Sequence, residues 1–80
     1  MRIPRDVSAK ELTKLLQKYG FEITRQTGSH LRLTTHLSGE YHITIPNHDP
    51  IKIGTLNNIL SDIAEYLGMN KKDLISELFA

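Results

Sequence analysis

Residues 30–45, HLRLTTHLSGEYHITI, decide the fold of this chain. Leu31, Leu33 and Thr35 alternate with His30, Arg32, Thr34 and His36, and Tyr41, Ile43 and Ile45 alternate with Glu40, His42 and Thr44. A period of two is the pattern of a half-buried strand. With Leu37-Ser38-Gly39 as a three-residue turn, Leu33 falls opposite Ile43, Leu31 opposite Ile45 and Thr35 opposite Tyr41. Thr34 then faces His42, and Arg32 faces Thr44. A slip of one residue would turn one whole strand to the wrong face, so the predicted sheet has an oily face and a wet face. His30, Arg32 and His42 belong to the wet one.

The same period extends upstream. Phe21, Ile23 and Arg25 alternate with Glu22, Thr24 and Gln26, which predicts a third half-buried strand, joined to the hairpin through a turn at Gly28. Before it, Ser8 and Glu11 have the spacing of a capping box. Leu12, Leu15, Leu16 and Tyr19 then form one helical stripe that Gly20 stops, predicting a helix over 8–19. After the hairpin, Pro46 and Pro50 bracket a loop, Ile45 to Ile53, that cannot extend the ladder. Thr55 is the expected N-cap of a second helix carrying Leu56, Ile59, Leu60, Ile63 and Leu67, which ends at Gly68. Asn70, with Asp73 three residues on, opens a last helix over 70–79 bearing Leu74, Ile75, Leu78 and Phe79. The expected fold is a two-layer α+β domain of order α-β-β-β-α with an extra C-terminal helix. It fills residues 1–80 as one domain, with its core at about 5–68.

Composition limits what such a domain can do. The chain has 80 residues, 39% hydrophobic and 24% charged, in the range of ordinary globular proteins rather than disordered or fibrous ones. No run approaches the roughly 20 apolar residues of a membrane span, so no membrane association is expected. The opening Met-Arg-Ile-Pro-Arg-Asp lacks the apolar core of a signal peptide. Cysteine is absent, which excludes disulfides and thiolate metal sites and fits a cytoplasmic protein. A net charge of +1 is far from that of a strongly basic nucleic-acid binder. A domain this small has no room for a deep cleft around a large cofactor, so any activity must sit on its surface, and no cofactor is expected.

Chemistry concentrates at the turn Thr27-Gly28-Ser29-His30. Glycine favours a tight hairpin, and His30 then stands at the mouth of the second strand with its ring toward solvent. A histidine with a pKa near ~6.5 exchanges protons at neutral pH; the plainer alternative is a surface histidine beside an ordinary turn. His30, His36, His42 and His48 recur every six residues. Strands and turns separate them, and zinc prefers close ligand pairs, so no metal site is expected. Of the aromatics, Tyr19, Phe21 and Tyr41 fall at core positions, which argues against a base-stacking platform.

Two segments carry a family resemblance: Gly28-Ser29-His30, and Ile45-Pro46-Asn47-His48 running on to Ile53-Gly54-Thr55-Leu56 with Ile59-Leu60. The capped helix ending in Tyr19-Gly20-Phe21 fits as well. Over roughly residues 5–68 the chain resembles the HicA family, also called the YcfA family, the toxins of HicA–HicB toxin–antitoxin pairs. The resemblance implies a fold like that of double-stranded-RNA-binding domains. It also implies metal-independent endonuclease activity on messenger RNA, and a HicB-like antitoxin partner that covers the site. The family's catalytic histidine maps onto His30. The helix at 70–79 extends beyond the usual family length.

RNA chemistry suits such a site. The 2′-hydroxyl of RNA attacks the neighbouring phosphate, so the protein need supply only proton transfer and stabilisation of the phosphorane. His30 is the expected acid–base residue. Gly28 and Ser29 would let the backbone approach the phosphate, and Arg32, on the same strand face, is the nearest cation for its oxygens. The polar face of the second helix reads Asn57, Asn58, Ser61, Asp62 and Glu65 without Lys or Arg. Cationic contact there falls to Lys52 and the free amides at Gly54-Thr55. His42, His48 and Lys52 are candidates for a second proton-transfer group. The rival readings are a non-catalytic RNA-binding module and a degenerate toxin that acts only as an interaction partner.

Overall fold

The computed structural model describes residues 3–79. Helix α1 spans Ala9–Leu16, and its last turn tightens into a 3₁₀ turn over Gln17–Tyr19. The capping box forms: the Glu11 amide donates to Ser8 Oγ at 3.1 Å, and the Ser8 amide donates to the Glu11 carboxylate at 3.4 Å. Gly20 then reverses the chain at φ +79°, and a Cβ there would lie 3.0 Å from Thr35 Oγ1. Any side chain at Gly20 would be both strained and crowded.

Three strands follow, β1 (Glu22–Gln26), β2 (His30–Thr35) and β3 (Tyr41–Pro46), in the spatial order β1-β2-β3. The β2–β3 register is the one predicted: Leu31 pairs with Ile45, Arg32 with Thr44, Leu33 with Ile43, Thr34 with His42 and Thr35 with Tyr41. Leu31, Leu33, Ile43 and Ile45 are all buried. Thr35 is buried too, and its hydroxyl donates to the Tyr19 carbonyl at 2.7 Å, tying the sheet to the end of α1.

Two expectations for the sheet fail. β1 is exposed along its whole length, with Ile23 at 46%, rather than half-buried. The cause is a bulge. Ile23 pairs with Leu33, but Arg25 pairs with Arg32, so the period of two breaks between them. A bulge bends and twists its strand, and no residue of this edge strand reaches the core, whereas Phe21, just ahead of β1, does. The wet face is not uniformly wet either. Thr34 is buried there, because its hydroxyl bonds Thr24 Oγ1 at 2.8 Å and His42 Nδ1 at 2.7 Å.

The loop after β3 is tied to the N-terminal segment, the Ala9 amide donating to the His48 carbonyl and the Ile51 amide to the Val7 carbonyl. Helix α2 spans Ile53–Leu67 with Lys52 at its N-cap, so Thr55 lies in the first turn and is not the cap. Lys52 makes no side-chain capping bond, so sequence offered no cap signal at the true start. Leu56, Ile59, Leu60 and Ile63 bury against the sheet's oily face and merge with Leu12, Leu16 and Phe21 in one core. After Gly68, at φ +67°, helix α3 runs Lys71–Phe79, with the Asn70 side chain accepting from the Lys72 amide. Leu74, Ile75 and Leu78 join the same core. Phe21 stands edge-on to Tyr41 and Tyr66, and those two rings stack at 4.5 Å, so these aromatics pack on one another.

Among the described residues no helix is long and apolar enough to cross a membrane.

Candidate active site

The turn between β1 and β2 is a two-residue hairpin loop, Gly28-Ser29, closed by the Thr27 amide donating to the His30 carbonyl at 3.0 Å. Gly28 does not adopt a left-handed conformation, and a Cβ added to it would meet nothing within 4 Å. What glycine leaves at this position is open space over the backbone.

His30 is exposed at the start of β2, with Nδ1 at 3.0 Å from Ser29 Oγ. Its Nε2 has no protein partner among the described residues. The second motif segment lies alongside. Pro46 pairs with His30 across the ladder, and the Asn47 amide donates to the Ser29 carbonyl at 2.9 Å. Two stretches well separated in sequence are thus held as one unit by backbone hydrogen bonds, which fixes the base of the His30 side chain.

Around it, Arg25, Thr27, His30, Arg32 and Thr44 line one shallow depression of about 150 Å³. Arg32 is where strand parity placed it. Arg25 is not: alternation assigned it to the oily face with Ile23, and the bulge brings it to Arg32 instead. No sequence signal marks that step, because both residues at the bulge, Thr24 and Arg25, are polar. Lys52 does not line this depression and stands instead at the start of α2. His48 lines a separate hollow with Ser8, Lys10, Gln26, Asn47 and Asp49. His36 is exposed just past the far end of β2.

His42 is committed elsewhere on the same face. Its Nε2 lies 2.9 Å from Glu40 Oε2 and its Nδ1 2.7 Å from Thr34 Oγ1, so a chain Thr24–Thr34–His42–Glu40 crosses all three strands. The hydrogen bond from His42, then its charge and those of His36 and Arg32, hold the Glu40 carboxyl below its ordinary range. A carboxyl depressed in the folded state stabilises above its unfolded pKa, and the contribution is lost as pH falls through the lower folded value. In His42→Ala, the Glu40 carboxyl is expected to titrate at higher pH, close to an ordinary glutamate, by ¹³C NMR. An unchanged midpoint would mean the contact is not made in solution.

A family model described as HicA toxin of bacterial toxin-antitoxin matches residues 9–64. The match covers more than two thirds of the chain, runs from α1 through most of α2, and contains both motif segments; α3 lies outside it. Comparison with curated proteins and with solved structures gives no match.

Proposed function

The chain belongs to the HicA toxin family of bacterial toxin–antitoxin systems, and from that premise we propose that it is a metal-independent endoribonuclease acting on messenger RNA in the cytoplasm, with His30 as its acid–base group. The observation that carries this reading is the exposed His30 ring, tethered to Ser29 at 3.0 Å and sharing a depression with Arg32. Tethering at Nδ1 leaves Nε2 as the nitrogen for substrate.

In the proposed reaction His30 Nε2 takes the proton from an RNA 2′-hydroxyl. The 2′-oxygen forms a bond to the adjacent phosphorus, and the bond from phosphorus to the 5′-oxygen breaks. The products are a 2′,3′-cyclic phosphate and a 5′-hydroxyl, the leaving oxygen taking a proton from water or from the imidazolium. Arg32 supplies positive charge for the non-bridging oxygens as charge builds on them. Gly28 and Ser29 let the phosphate close over the turn. Incubated in EDTA, a defined transcript is expected to yield fragments with cyclic phosphate ends, while the same sequence built on 2′-deoxyribose survives. Cleavage of the deoxy strand at a similar rate would overturn the 2′-hydroxyl mechanism.

The partner in this reading is a HicB-like antitoxin that inhibits by covering the wet face around His30. A shallow site on a small domain is closed by occlusion alone. Arg32→Glu places a carboxylate at the centre of that surface, and a charge buried without a partner in a complex is costly. The antitoxin complex is expected to weaken at least about tenfold by calorimetry, with the variant's melting curve retained. Wild-type affinity would place the interface elsewhere.

A further inference from the structure

We infer that Arg25 is a second phosphate-binding residue of this site, paired with Arg32 as a two-arginine clamp on an RNA phosphodiester beside His30. The inference rests on the reading that RNA is the substrate, and adds a residue that strand alternation had assigned to the opposite face.

The bulge is the first observation. Glu22 pairs with Thr34 and Ile23 with Leu33, and an unbroken ladder would carry Thr24 to Arg32 and Arg25 to Leu31. Directly paired residues share a face, so Arg25 would then stand on the side of buried Leu31. The extra residue brings Arg25 opposite Arg32 instead, and Gln26 opposite Leu31. Thr24, the residue passed over, is anchored by its hydroxyl to Thr34 at 2.8 Å, which holds the bulge in place.

Electrostatics supply the second. Like charges directly opposite on a sheet destabilise it. Among the described residues neither Arg25 nor Arg32 has a carboxylate within 4.0 Å. The free protein therefore pairs two arginines across the ladder with no carboxylate in contact with either among the described residues. An anion between them removes that repulsion.

Geometry identifies the anion. Both arginines line the depression that also takes in His30, Thr27 and Thr44, and all of it opens to solvent. Planar guanidinium groups match phosphate oxygens with paired N–H donors. The Thr44 hydroxyl, which makes no protein hydrogen bond among the described residues, adds a further donor. A phosphodiester seated there lies next to the imidazole that must reach its 2′-hydroxyl. Arg25 is assigned to binding and positioning, and the proton transfer stays with His30.

The test is anisotropy of a labelled synthetic single-stranded RNA, titrated at several salt concentrations in a His30→Ala background so that nothing is cut. Adding Arg25→Gln is expected to weaken binding about tenfold at low salt, the lower end for a charge-assisted contact. The slope of log affinity against log salt should become shallower by about 0.7, the value for one lost phosphate contact on a single strand. Arg25→Lys should keep most of the slope, because it keeps the charge. Lys72→Gln, on α3 in the other layer, removes one charge without touching the site and should leave the slope unchanged. Arg25→Gln should also melt at the same temperature as its parent or higher, because it relieves a like-charge pair. The clamp is overturned if Arg25→Gln matches its parent in affinity and slope, if Lys72→Gln loses as much, or if the parent does not bind RNA. RNA bound through Arg25 but never cut would instead leave the clamp standing and remove the catalytic assignment.

Discussion

Truncation after Gly68 is expected to lower the melting temperature well beyond error. The deleted segment carries α3, whose Leu74, Ile75 and Leu78 are buried in the same core as α1, α2 and the sheet. Burying each such side chain contributes roughly 1.5–3 kcal/mol, against a total of about 5–15 kcal/mol for an ordinary domain. Part of the loss is offset, because the shorter chain no longer orders nine helical residues. The exposed pair Lys18–Glu77, 3.4 Å apart, adds little. Leu74→Ala isolates the packing effect without changing chain length. At a fully buried leucine it should cost about 2–5 kcal/mol, and each kcal/mol lowers the melting temperature of a domain this size by about 4–8 °C. Thermal unfolding followed by circular dichroism reads both variants. A truncated chain that melts like the full one would mean that α3 is an appendage and that the core closes without it.

The parts of the fold legible in sequence are those where apolar spacing and a cap or turn residue agree. Leu31, Leu33, Ile43 and Ile45 fix the β2–β3 register because a one-residue slip would turn the two large apolar side chains of one strand to solvent. Ser8 with Glu11, and Asn70 ahead of α3, mark helix starts through side chains that do the capping. Where no side chain signals the event, the reading drifts. The N-cap of α2, Lys52, lies three residues ahead of Thr55, the expected cap, and contributes only backbone. The β1 bulge is silent for a similar reason: Thr24 and Arg25 are both polar, so moving the ladder past one of them buries nothing wrong. Thr34 is buried by a hydrogen-bonded chain that alternation cannot show. The site was legible to the same degree. Parity placed Arg32 and the Gly28-Ser29-His30 turn supplied His30, whereas Arg25 needed the structure, and Lys52 was drawn in by a helix start that lies outside the depression.

His30→Ala carries the largest expected effect on activity. The side chain is exposed, and its one hydrogen bond among the described residues is to the hydroxyl of exposed Ser29. Surface substitutions of this kind shift stability within about ±0.5 kcal/mol, so the variant should fold and melt like its parent. Losing a general acid–base group removes about 10²–10⁴-fold in rate. Growth arrest on expression should disappear with it. His36→Ala is the control, because that residue is exposed beyond the opposite end of β2; its rate should stay within about threefold, well short of an acid–base contribution. The measurement that bears most directly on the account is the initial rate of cleavage of one defined transcript, in EDTA, by the parent and by folded His30→Ala. The account predicts that the parent cuts in EDTA and that the variant is at least ~100-fold slower. Equal rates for the two proteins, or a parent that stops cutting when EDTA is added, would contradict it.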